Sequence, residues 1–208
     1  RAEGGDDYRG DSGPLHTSNG TLKNPLYRAF IDAGVQAGYP RTADPNGFQQ
    51  EGFGRMDMTV HRGRRWSTAN GYLHPVRNRP NLEVATEALA NRVLVEGNRA
   101  GGVEYARGSQ TIRATAEREV ILAGGPINSP QLLMLSGIGP AAQLKEHGIE
   151  PRKDLPGVGE NLMDHLEVYM QQECTQPVSL YSVLNPAAKA MIGARWMLFR
   201  DGLGATNH

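Results

Sequence analysis

Gly125-Pro126-Ile127-Asn128-Ser129-Pro130-Gln131-Leu132-Leu133-Met134-Leu135-Ser136-Gly137-Ile138-Gly139 is the stretch on which the reading of this chain turns. The aliphatic run Val120-Ile121-Leu122 leads into it and stops at Ala123-Gly124. That order predicts a buried strand ending in a tight turn, where residues without bulk let the backbone pass close to another group. Ser129 is placed to cap a short helix and Pro130 to open it, because the missing N–H of proline costs nothing at the first helical position. Leu132, Leu133 and Leu135 form its apolar side, and Gly137 marks its end.

Downstream, the pattern predicts a second helix from Pro140 to His147, stopped by Gly148, and an irregular loop over Asp154–Leu162. From Leu166 to Cys174 residues alternate as in a strand. Leu166, Val168, Met170 and Cys174 fall on one face, Glu167, Tyr169, Gln171 and Glu173 on the other. Asn185-Pro186 opens a last helix with Ile192, Trp196 and Phe199 inward. Upstream, Asn24-Pro25 opens a helix whose Leu26, Phe30, Ala33 and Ala37 recur at helical spacing until Gly38 and Pro40. Asp44-Pro45-Asn46-Gly47 is a turn. Met56, Met58 and Val60 alternate as a half-buried strand, followed by a solvated basic turn, His61–Arg65, and a short helix capped by Ser67 that carries Tyr72-Leu73. Leu82, Val84 and Thr86 alternate; Arg92–Glu96 is a strand turned by Gly97-Asn98, and Val103–Ala106 pairs with Thr111–Ala114 across Gly108-Ser109. The fold class is mixed, α/β with α+β character, and no repeat or low-complexity tract interrupts it.

With 208 residues the chain is long enough for one or two domains with a real core. Lys+Arg and Asp+Glu both number 22, so no net field attracts nucleic acid or an anionic membrane. No apolar run approaches the roughly 18 to 20 residues needed to span a bilayer. The single cysteine, Cys174, excludes an internal disulfide and suits a reducing compartment. The 26 glycines suit a loop-rich cofactor-binding architecture. The first residue is Arg1, the opening Glu3–Asp7 is polar loop, and no closing element follows Asn207-His208, so an interior portion of a longer protein is expected.

Two other motifs overlap the central stretch. Gly137-Ile138-Gly139-Pro140-Ala141-Ala142 fits G-x-G-x-x-A, but that fingerprint needs a preceding strand and here a helix precedes it. Leu135 to Leu144 also has the form of a helix-hairpin-helix, whose glycine turn offers N–H groups to a nucleic-acid phosphate. Phosphate binding wants basic neighbours, and only Lys145 is close.

The fifteen residues from Gly125 to Gly139 fill every fixed position of the second signature of the glucose-methanol-choline (GMC) oxidoreductases, and the chain resembles that family. Ala33–Pro40, Gln49–Gly54, Leu155–Glu167 and Pro177–Tyr181 are similar to its choline-oxidising members in particular. The resemblance extends over essentially the whole chain. It implies part of an FAD-binding, Rossmann-like domain interleaved with an antiparallel-sheet substrate domain. Residues 80–165 would belong to the former, with 1–79 and 166–208 to the latter. It also implies FAD as cofactor and oxidation of a primary alcohol by hydride transfer to flavin N5 while a histidine takes the hydroxyl proton. Choline is the leading substrate and an uncharged primary alcohol the alternative; these residues do not identify the electron acceptor. The expected location is the cytoplasm, with peripheral attachment at the inner membrane as the variant.

Residue by residue, Asn81–Ala90 resembles the family segment whose last residue meets the adenine edge through its main-chain N–H and C=O. That residue is usually valine and here is Ala90. Ala123 and Gly124 match the small residues that let the strand end pass the ADP part of FAD. Glu167 stands where the choline-oxidising members carry a glutamate toward the trimethylammonium group, and alternation puts Tyr169 on its side. A quaternary ammonium offers no N–H, so charge and aromatic faces must hold it. One carboxylate at about 4 Å supplies on the order of 4 kcal/mol before desolvation, at an effective dielectric of about 20. His16, His61, His74, His147, His165 and His208 match no catalytic motif and are expected as surface or structural residues. Neither a general base nor a metal ligand is assigned. The 208 residues alone are expected to oxidise no alcohol and to bind FAD at best weakly.

Overall fold

The computed structural model describes residues 1–206. Mixed helix and strand is the observed class, and the chain divides into two compact units: Arg1–Glu83 with the segment from Met170 onward, and Val84–Tyr169.

In the first unit, β1 (Ser18–Asn19) pairs antiparallel with β2 (Asp57–Met58), and β3 (Val60–His61) makes a hairpin with β4 (Arg64–Arg65) at the predicted basic turn. Helix α1 (Pro25–Gln36) starts as expected, with Asn24 accepting from the Leu26 N–H and proline in the first turn. Its buried face differs from the expected one. Ile31 and Gly34 face inward while Leu26 and Phe30 are exposed, because the Phe53 ring packs directly over Gly34. Ile31, Met58 and Val60 form this unit's core. The Asp44–Gly47 turn closes through Gly47 N–H to Asp44 O at 3.0 Å. Asp44 then gathers Arg9 at 2.8 Å and Arg1 at 3.2 Å. Ser67 Oγ accepts from Asn70 N–H at 3.3 Å ahead of a single π-helical turn, Ala69–Leu73. The final helix of this unit, Pro186–Phe199, is capped by Asn185 as predicted. Ile192 and Trp196 are half-buried beneath the 3-10 turn Gly202–Ala205, but Phe199 is 71% exposed because it runs past that cover.

The second unit is built on an antiparallel meander, β5 (Leu89–Glu96), β6 (Arg99–Arg107) and β7 (Gln110–Thr115), turned at the two predicted glycine pairs. Helix α2 (Gly125–Leu135) packs on β5. A short crossover follows, β8 (Ile138–Gly139), α3 (Ala141–Glu146) and β9 (Lys153–Asp154), with β8 and β9 parallel. Leu144 of α3, 1% exposed, is the most buried side chain described, and Asp154 Oδ1 caps the helix by accepting from Ala141 N–H at 3.0 Å.

Three predicted strands do not form among the described residues. Val120–Leu122, Leu82–Thr86 and Leu166–Cys174 are irregular, with Ile121 77% and Leu166 96% exposed. Alternating or apolar sequence prepares a face, but a strand exists only where a neighbour takes its backbone hydrogen bonds, and among the described residues no segment pairs with these three. Helix α2 also starts earlier than Ser129. Gly124 is its cap, Pro126 lies in its first turn and Pro130 inside it. Ser129 Oγ instead accepts from Gly124 N–H at 2.9 Å, so the hydroxyl closes the turn before the helix rather than capping a later start. No helix among the described residues is long and apolar enough to cross a membrane.

Candidate functional site

The central signature is anchored by a residue that the sequence reading passed over. Ser136, buried at the end of α2, accepts from the Val93 N–H of β5 at 2.8 Å and donates to Leu132 O at 2.6 Å. One hydroxyl thereby joins helix to sheet edge. Its signal was available in the sequence: a serine four residues after Leu132 lies on the apolar side of the helix, where a polar group needs a partner. A second missed feature lies across the meander. Glu104, buried, receives Arg92 at 3.0 Å and Arg113 at 2.9 Å from the two neighbouring strands, in a row set by the register Arg92↔Glu104↔Arg113. Those bonds, Arg92 first, hold the Glu104 carboxyl below its usual range.

The expected cofactor residues stand on the two sides of the α2–β5 contact. Ala90 is on β5, paired with Tyr105, just before an irregularity in the ladder between Ala90 and Arg92. Ala123 and Gly124 lie on the irregular chain entering α2. All three are exposed. At Gly124 a Cβ would lie 3.0 Å from Asn128 Cβ and 3.3 Å from Ser129 N, so a side chain there would crowd its own helix turn by a few tenths of an ångström. The exposed main chain at Ala123–Gly124 has no side chain beyond a methyl to bar a phosphate-bearing group, and it adjoins the amide-rich start of a helix.

Glu167 and Tyr169 are brought together. The Tyr169 phenol donates to Glu167 Oε2 at 2.5 Å, and this bond, more than burial, raises the phenol's pKa. That bond puts the two on a common side, as the sequence alternation anticipates, even though the strand itself is absent. Tyr169 is 82% exposed, and the apolar side, Val168 and Met170, is exposed as well. Beside them, Asp164 Oδ1 accepts from His165 N–H at 2.7 Å, a local turn. Of the other histidines, His16 stacks on His61 with ring centroids 3.9 Å apart and Trp66 edge-on to both. His74 and His147 are exposed; His208 lies outside the described residues.

The glycine turn after α2 does not behave as a phosphate cradle. Gly137 N–H is given to Met134 O, while Gly137 O takes Arg152 N–H at 2.8 Å and Gly139 O takes Leu155 N–H at 3.0 Å. Both glycines are buried in the β8–β9 crossover. The helix-hairpin-helix reading fails because the turn is an interior connection.

Comparison with known proteins agrees with this assignment of the signature. The GMC oxidoreductase family profile matches residues 5–167, and the chain belongs to the GMC oxidoreductases. It is 58% identical over 205 residues to an oxygen-dependent choline dehydrogenase of Brucella anthropi, covering 99% of this chain and 37% of that protein. It is 59% identical over 201 residues to the mitochondrial choline dehydrogenase of Mus musculus, covering 97% of this chain and 34% of that one. Among solved structures, the formate oxidase of Aspergillus oryzae matches with a TM-score of 0.80 at 27% identity, over 95% of this chain and 35% of its own. An FAD-dependent oxidoreductase from Chaetomium thermophilum matches at 0.79 and 29% identity, over 95% and 35%. The chain thus spans little more than a third of the length of these relatives.

Proposed function

We propose that this chain serves in the FAD-dependent oxidation of a primary alcohol, with choline converted to betaine aldehyde. The observation that carries the reading is close kinship, over nearly the whole chain, to enzymes named choline dehydrogenase. We assign residues 80–165 to the FAD-binding part, and 1–79 with 166–208 to the part that receives substrate. A first unit made of two stretches flanking a second in sequence supports that interleaving. Ala90 would meet the adenine edge through its main chain. Ala123 and Gly124 would let the ADP part approach the start of α2. FAD, when bound, supplies the hydride acceptor.

This chain's own contribution to the substrate is Glu167 with Tyr169. Oxidation takes a hydride and a proton from the alcohol carbon and its hydroxyl and leaves the trimethylammonium charge untouched. That group therefore needs only to be held, and a carboxylate beside an open aromatic face does so without any N–H donor. The test is Glu167→Gln in the intact, FAD-loaded protein. Deleting the charge while keeping the shape should weaken choline affinity roughly tenfold or more. Oxidation of the neutral isostere 3,3-dimethylbutanol should change far less. Equal losses for both substrates would make Glu167 structural. Saturable turnover of neutral alcohols with none of choline would replace the substrate.

A further inference from the structure

We propose that Tyr169 is a positioning residue for Glu167, its hydroxyl holding the carboxylate beside the Tyr169 ring so that a quaternary ammonium meets both together. The inference rests on the reading of Glu167 as the cation's partner. It goes beyond that reading by giving the tyrosine hydroxyl, and not only its ring, a part in choosing the substrate.

A glutamate on exposed, irregular chain has several rotamers, and a free carboxylate in water points in no particular direction. Here one of its oxygens is taken. Tyr169 O–H donates to Oε2 at 2.5 Å, the short separation of a charge-assisted bond from phenol to carboxylate. The phenol is the donor, so the carboxylate keeps its negative charge, and Oε1 keeps its lone pairs for a ligand. The ring stays 82% exposed, leaving its face open to a cation. The two residues are only two apart in sequence, so the bond brings carboxylate and phenol together without help from another element. A trimethylammonium group presents only polarised methyls. A fixed pair of anion and ring face matches it better than a primary ammonium, which would compete with the phenol for the carboxylate lone pairs.

The experiment compares Tyr169→Phe, Glu167→Gln and the unaltered sequence in the intact, FAD-loaded protein. It measures equilibrium binding of choline, kcat and KM for choline and 3,3-dimethylbutanol, and the ultraviolet titration of tyrosinate. Tyr169→Phe keeps the ring and removes the clamp. It should raise Kd and KM for choline by roughly three- to tenfold. The effect should fall on KM rather than kcat and should be far smaller for the neutral isostere than for choline. In Glu167→Gln one tyrosine should ionise at lower pH than in the unaltered protein, since the carboxylate no longer holds its proton. This second measurement stands even if Tyr169→Phe folds poorly. Unchanged choline binding in Tyr169→Phe, with weakened binding in Glu167→Gln, would overturn the positioning role and leave the cation site standing. Unchanged choline binding in both would overturn the substrate reading itself. Equal losses for choline and the isostere in Tyr169→Phe, or a tyrosine titration indifferent to Glu167, would also overturn the proposal.

Discussion

Replacing Ser136 by alanine removes one oxygen and should cost more than a surface serine could. The hydroxyl makes two bonds, and their loss is unequal. Leu132 O, which takes the Ser136 hydroxyl, also receives the Ser136 main-chain N–H at 3.2 Å, so it keeps a partner. Val93 N–H, on the side of β5 turned from β6, gives its proton to Ser136 Oγ at 2.8 Å, in a buried setting with Ser136 5% and Val93 7% exposed. Alanine leaves that buried amide without its protein acceptor, which costs about 1–3 kcal/mol. In a chain of 208 residues this corresponds to a fall in Tm of roughly 2–4 °C per kcal/mol. Urea unfolding measures the total, and amide hydrogen exchange at Val93 locates it. The Val93 amide should lose protection by a larger factor than its neighbours on the β6 side of the strand. Ser136→Thr, which keeps the oxygen but adds a methyl at a buried position, should retain Val93 protection while losing some stability to crowding. A loss under about 0.5 kcal/mol for Ser136→Ala, or a full loss with Val93 exchange unchanged, would refute the reasoning.

Two further outcomes follow from the first unit. Gly34→Ala would set a Cβ 2.4 Å from the Phe53 ring, which is hemmed by Phe30 at 5.3 Å and Tyr39 at 5.6 Å between centroids. Overpacking of about 1–3 kcal/mol should outweigh the gain of up to about 1 kcal/mol in helix propensity, and a thermally stabilised variant would show that Phe53 moves aside freely. The Asp44 carboxyl, hydrogen-bonded first by Arg9 and then by the Asn46 N–H, has its pKa pushed down to about 2. Its folded value lies below the unfolded one, so its stabilisation is present above pH of about 4 and disappears as pH falls toward 2. Asp44→Asn should therefore lose on the order of 1–2 kcal/mol at neutral pH and converge with the unaltered protein near pH 2, as followed by urea unfolding across pH. A constant gap at all pH values would mean that packing, not charge, is what Asp44 supplies.

Local chemistry was legible in the sequence wherever the residues that make a structure are neighbours along the chain. Asn24-Pro25 and Asn185-Pro186 start helices because the cap and the amide it satisfies lie two or three residues apart. The glycine turns of β5–β6–β7 were placed for the same reason, and the GMC signature was recognisable as an unbroken string. Alternation anticipates a common side for Glu167 and Tyr169, but the strand does not form, and the bond that joins them is a matter of side-chain conformation that only the structure supplies. Pairing across distance was decided by the tertiary structure. Val120–Leu122 and Leu166–Cys174 carry the composition of strands and still form none, since a ladder needs a second backbone and composition does not say whether one is there. Ile31 and Gly34, not Leu26 and Phe30, became the inner face of α1 because Phe53, nineteen residues after Gly34, arrives on that side. Ser136 and Val93 lie 43 residues apart, and nothing near either one names the other. A buried amide must find an acceptor, but which acceptor it finds depends on the chain's path through space.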